Sequence, residues 1–112
     1  MIYDAIFKKK QSGNLSGNGQ LNLDPGVYTS YKFTGINGTV NITNPSFNVD
    51  GIEVEILLKD AGVSKTLTWG NLFEGTMYAL PNSTTMGKWM YFIFRYNDIA
   101  TKWQLIKYNV QI

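Results

Sequence analysis

The sequence predicts an all-β protein, a single antiparallel β-sandwich of jelly-roll type. Three observations predict it. Apolar and polar residues alternate along most of the chain. Gly, Asn, Pro and Asp punctuate those alternating runs. No long segment sustains the i, i+3, i+4, i+7 spacing of an amphipathic helix. Together they give about eight short strands separated by turns.

The elements follow in order. Residues 1–12 begin apolar, with Ile2, Tyr3, Ala5, Ile6 and Phe7, and turn basic with Lys8, Lys9 and Lys10. This segment is either an edge strand or an arm that docks on another protein. "QSGNLSGNGQ" reads as a flexible joint between it and the body, residues 13–112, which forms one sandwich module. "QLNL" pairs Leu21 with Leu23 on one face. Asp24-Pro25-Gly26 is a turn that leads into "GVYTSYKF", with Val27, Thr29, Tyr31 and Phe33 on one face. Asn37-Gly38 is a hairpin signal, and Val40 and Ile42 point inward after it. "IEVEILLK" sets Ile52, Val54, Ile56 and Leu58 against Glu53, Glu55 and Lys59. "KWMYFIFRY" is apolar on both faces, with Trp89, Tyr91 and Ile93 on one and Met90, Phe92 and Phe94 on the other. Such a strand is central, covered on both sides or covered on one side by another subunit. "NDIATK" turns the chain into a last strand, where Trp103 and Leu105 alternate with Ile106, Tyr108, Val110 and Ile112.

With 112 residues the chain is one domain with enough length for a core. It has no cysteine and no histidine, so a disulfide framework, a cysteine-based zinc site and a Ser-His-Asp site are all excluded. Ten basic and eight acidic residues leave a net charge of +2, which predicts neither nucleic acid nor membrane as a partner. The start "MIYDAIFKKK" places its charge after too few apolar residues for a secretory signal, and no apolar run approaches the ~20 residues of a membrane helix.

The chemical signals are weak. Glu53 and Glu55 are neighbours on one strand face. A carboxylate pair of that kind serves glycosidases, but a solvated face that discourages edge pairing explains it as well. Asp50, Asp60, Glu74 and Asp98 sit in loop positions without the spacing of a calcium loop. "GNLSGNG" lacks the Lys-Ser/Thr of a phosphate cradle, and Lys8–Lys10 is too short for a nucleic-acid footprint. No metal or cofactor is expected. Trp69, Trp89 and Trp103 either form a sugar-stacking surface or pack a core and an interface. For Trp69, at the end of "TLTW" and followed by Gly70, the reading is a core plug where the chain leaves its sheet.

One series of residues carries a resemblance. Asn44-Pro45, Asp50-Gly51, Lys59-Asp60, Leu67-Thr68-Trp69-Gly70, Leu80-Pro81, Gly87-Lys88, an aromatic strand from Trp89 to Tyr96-Asn97, and Lys102-Trp103 follow one another in order. The stretch spans roughly residues 44–106 and resembles a module of tailed-phage virion proteins. The resemblance implies a non-catalytic β-sandwich found in tail fibres, tip proteins and head appendages, often trimeric. Family members often carry a long shaft, whereas here almost nothing precedes the module. The expectation is therefore a small virion accessory, a trimeric head fibre or capsid-decoration protein. It would be attached to other virion proteins through Ile2, Tyr3, Ile6, Phe7, Lys8, Lys9 and Lys10. The alternative is a tail-fibre tip that binds a host receptor or surface glycan through its aromatics and the loops 44–50 and 81–86.

Overall fold

In the computed structural model the chain winds back and forth between two sheets, and residues 10–14 and 19–111 are described. β1 (Lys10–Asn14), β3 (Ser30–Ile36) and β5 (Glu53–Asp60) lie side by side in a large sheet, while β2 (Gly19–Leu21), β4 (Val40–Ile42) and β6 (Leu67–Trp69) form a small one. Each large-sheet strand is followed by a small-sheet strand, so every pair makes one coil of a short solenoid. After the coils come β7 (Phe73–Glu74), β8 (Met90–Asn97) and β9 (Lys102–Val110). They complete the large sheet in the order β1-β3-β5-β8-β9-β7.

The all-β class and the two facing sheets agree with the sequence, but the antiparallel, jelly-roll-like pairing does not describe most of the molecule. Neighbouring coils pair in parallel, as do β7 and β9, and among the described strand pairs β5–β8 and β8–β9 are antiparallel. The reason for the misreading is physical. Parallel sheets usually have both faces covered and read as continuous apolar runs. Here one face of the large sheet meets solvent, so its parallel strands alternate as antiparallel ones do. The parallel return that usually needs a helix is made through the small sheet. Successive coils also differ in length, since Lys10 faces Ser30 while Ser30 faces Glu55, and no fixed period marks them in the sequence.

Other local expectations change for the same reason. Asn37-Gly38 makes no hairpin; it is the corner where the chain passes from β3 to β4 in the other sheet. "QSGNLSGNGQ", read as a joint, contributes to both β1 and β2. Val27 is exposed in the turn before β3 and does not join its inward face. Lys10 opens β1 at the sheet edge, whereas Ile2, Tyr3, Ile6, Phe7, Lys8 and Lys9, assigned to an attachment arm, lie outside the described residues.

The core is built of ladders across the strands. Tyr31, Ile56, Phe92 and Tyr108 stand in one register, and Phe33, Leu58, Met90 and Val110 in the next inward one. From the small sheet, Leu21, Ile42 and Trp69 face them as a third ladder. A β-bulge where β9 passes Ile93 and Phe94 corrects the phase of the last strand. Trp103 and Leu105 precede it, Tyr108 and Val110 follow it, and all four pack on the core, while Ile106 is left exposed. Simple alternation assigned these two sets to opposite faces.

Among the described residues every buried side-chain nitrogen and oxygen has a hydrogen-bond partner. Tyr31 accepts a hydrogen bond from Asp24 N (2.7 Å) and donates to Tyr28 O (2.8 Å), which pins the turn that begins at Asp24. Burial pushes the Tyr31 phenol up to about 12. Among the described residues no helix is long and apolar enough to cross a membrane.

Candidate functional site

The residues of the phage-like series tie separate parts of the chain together. Asn44 donates to Asn71 Oδ1 (2.8 Å) and accepts from Leu72 N (2.9 Å), tying the loop after β4 to the loop after β6. Gly70 lies under Asn44 so closely that any Cβ there would collide with the asparagine side chain and its backbone nitrogen. Pro45 beside it is buried. Asp50 accepts from Asp98 N (3.1 Å) and Gly51 N donates to Tyr96 O (2.9 Å), so the entry to β5 is fastened to the β8–β9 hairpin. Gly51 holds a φ of 85°, which favours glycine. Asn97 caps that hairpin by accepting from Ile99 N (3.0 Å) and Ala100 N (3.2 Å).

Asp60 is a buried carboxylate held by three donors. It is 4% exposed and accepts from Thr84 Oγ1 (2.6 Å), Gly87 N (2.8 Å) and Gly62 N (3.0 Å). Burial alone would raise its pKa, but these three donors and the charge of Lys65 hold it below the ordinary aspartate value. Asp60 thus anchors the Thr-rich loop in which Gly87 adopts a φ of 69°. Among the described residues no group of three or more His, Cys, Asp or Glu side chains is placed to hold a metal ion.

The three tryptophans part company. Trp103 is fully buried, donates to Asn48 Oδ1 (2.8 Å) and packs on Tyr96. Trp69 donates to Pro81 O (2.8 Å) and meets Phe73, Phe92 and Phe94, each with ring centroids 5.3 Å away. It is the plug expected at the strand end. Trp89 alone stands on the solvent face of the large sheet. There it is half-buried, with Lys32 Nζ 5.1 Å and Lys59 Nζ 5.8 Å from its ring centroid. At partly exposed positions such cation–π contacts are worth about 0.5–1 kcal/mol each.

Around Trp89 the solvent face forms an open depression of about 400 Å³, lined by Lys32, Leu57, Trp89, Tyr91, Asn109 and Gln111. Register explains the set. Lys32, Leu57, Tyr91 and Asn109 face one another across β3, β5, β8 and β9, and Gln111 N donates to Trp89 O (2.9 Å) one step further along.

Both glutamates of β5 lie on this face and turn to other partners, not to each other. Glu53 forms an ion pair with Arg95. Glu55 accepts from Ser30 Oγ (2.6 Å) and Tyr91 Oη (3.1 Å). Burial, then the bond to Glu55 and the two carboxylate charges, raise the Tyr91 phenol pKa. β5 lies between β3 and β8, so these charges do not guard an edge as the sequence reading supposed. Of the lining residues, the sequence reading singled out Trp89 as a site residue and placed Tyr91 on the same strand face. Lys32, Asn109 and Gln111 join them only through strand register, which alternation does not disclose. No protein-family model, characterised protein or solved structure matches the chain.

Proposed function

We propose that this chain is a non-enzymatic structural protein of a tailed-phage virion, a trimeric head-fibre or capsid-decoration module attached through its N-terminal segment. The observation that carries the reading is the pairing of the signature residues. Asn44 against Gly70, Gly51 with Tyr96, and Trp69 with Pro81 each fasten one part of the chain to another. Residues at such spacings are explained by holding a shape, and none of these pairs forms a nucleophile with its base.

Self-association is supported by apolar groups left at the β9 side of the large sheet. Thr76 Oγ1 donates to Leu105 O (2.5 Å) and Tyr78 packs on Tyr108, so residues 76–78 run along β9. In that region Met77 is 89% exposed and Ile106 39% exposed. A second copy seated here would cover them.

Light scattering coupled to size-exclusion chromatography tests this on the whole chain. A homotrimer at micromolar concentration, reduced to monomer by M77K together with I106K, is the expected result. A monomer for the parent chain overturns the assembly reading.

A further inference from the structure

We propose that the depression around Trp89 binds an acidic saccharide, a sugar ring carrying a carboxylate. The site is distinct from the loops 44–50 and 81–86, and the argument does not depend on the virion assignment.

Ring recognition comes first. Tyr91 lies on β8 and Trp89 immediately precedes it; two residues apart in extended chain, about 7 Å, they line the same depression. The negative face of an aromatic ring attracts the positively polarised C–H groups on the flat side of a pyranose. Leu57 supplies an apolar floor beside them. Tyr91 sits on the sheet, and Trp89 is tied to its end by Gln111 N, which donates to Trp89 O (2.9 Å), so the platform is set before a ligand arrives.

Hydroxyl recognition comes next. Asn109 on β9 and Gln111 just beyond its end line the depression, next to Tyr91 and Trp89. Each amide offers one acceptor and two donors, which suits adjacent hydroxyls that both give and take hydrogen bonds.

Charge decides between a neutral and an acidic sugar. Glu53 is engaged by Arg95, and Glu55 by Ser30 and Tyr91. Lys32 and Lys59 hold their ammonium groups over the indole, a contact weaker than one with a carboxylate. An arriving ring that takes the indole face releases Lys32 to the carboxylate it carries. A long nucleic-acid strand is disfavoured, because Glu53 and Glu55 interrupt the face along β5.

The indole is also the reporter. Trp69 and Trp103 have their ring N–H groups bonded inside the protein, so a ligand on this face perturbs Trp89 first. The experiment titrates the whole chain with a galacturonic acid tetramer, a neutral galactose tetramer and oligo-dT, following tryptophan fluorescence and confirming by calorimetry. The acidic tetramer binds, the neutral one binds about tenfold or more weaker, and oligo-dT binds weaker still. W89A abolishes binding while lowering the melting temperature much less than W103A does. K32Q together with K59Q brings the acidic tetramer down to the level of the neutral one. The proposal is overturned by no binding of the acidic tetramer, by equal binding of the two tetramers, by tighter binding of oligo-dT, or by full binding in W89A. Because W89A removes a ring outside the core, a fall in its melting temperature as large as that of W103A would itself contradict this placement. In that event Y91A, read by calorimetry, decides whether the face binds.

Discussion

The two faces of β8 carry nearly the same chemistry in sequence and opposite roles in space. On one side Met90, Phe92 and Phe94 are fully buried. Phe92 and Phe94 meet Trp69, and Phe92 also stacks on Tyr108. On the other side Trp89, Tyr91 and Ile93 are only half-buried. Lys32 and Lys59 lie over Trp89, and Lys107 Nζ lies 5.6 Å from the Tyr91 ring. Lysine stems bury their methylenes on apolar surface while keeping the charge in water. The second face therefore needs no subunit to cover it, and a strand that is apolar on both sides is not in itself a sign of oligomerisation. What separates the two faces is the partner layer. The inner face meets the small sheet, while the outer face, among the described residues, meets lysine side chains and Glu55.

The sharpest way to break this comparison is to compare tryptophans across the two faces. Trp103→Ala removes a fully buried indole and leaves Asn48 Oδ1 without its donor. Chemical denaturation should show a loss of about 3–5 kcal/mol. Trp69→Ala should approach the same range, because its ring fills the contact between the sheets. If either variant melted like the parent, the assignment of the inner face as the core would be wrong.

Asp60 gives the next effect, and its sign is fixed. Its pKa is lowered in the folded state, so the stability it contributes is complete above the unfolded aspartate value and is lost as pH falls through the folded one. The parent should therefore lose stability in acid, below about pH 4, through this group among others. Asp60→Asn should cost about 2 kcal/mol at neutral pH, the scale of hydrogen bonds to a charged acceptor. It should also show a shallower acid limb. Denaturant midpoints measured from pH 3 to pH 7 on both proteins read this directly. Parallel curves would mean that Asp60 does not anchor the Thr-rich loop as a carboxylate.

What could be read from the sequence divides along the same line. The inner faces of β3 and β5 were legible because alternation marks which side is apolar, as Tyr31 and Ile56 illustrate, whereas β8, apolar on both sides, gave no choice between Phe92 and Tyr91. Neighbours were not legible. Alternation is the same for a parallel and an antiparallel strand with one wet face, so the coils were hidden. Ile106 was hidden too, since a bulge shifts phase without any breaker residue to announce it. The Trp89 depression was half legible. Its two aromatics lie two residues apart, but Lys32, Asn109 and Gln111 reach it from β3 and from the C-terminal end of the chain through pairings that no local pattern encodes.

The smallest expected effect sharpens the comparison most. Trp89→Ala deletes a residue type that costs several kcal/mol when removed from a core, yet here it should cost no more than about 1 kcal/mol. Its cation–π contacts with Lys32 and Lys59 are partly solvated. Both lysines regain conformational freedom and full hydration when the ring is gone, which offsets part of the lost contact. Measured beside Trp103→Ala under one set of conditions, the two losses should differ by about 2 kcal/mol or more. A Trp89 loss as large as that of Trp103 would mean that the outer face is packed in solution, against a second copy or the N-terminal segment. Chain concentration then separates those two cases, because only contact with a second copy makes the unfolding midpoint rise with concentration.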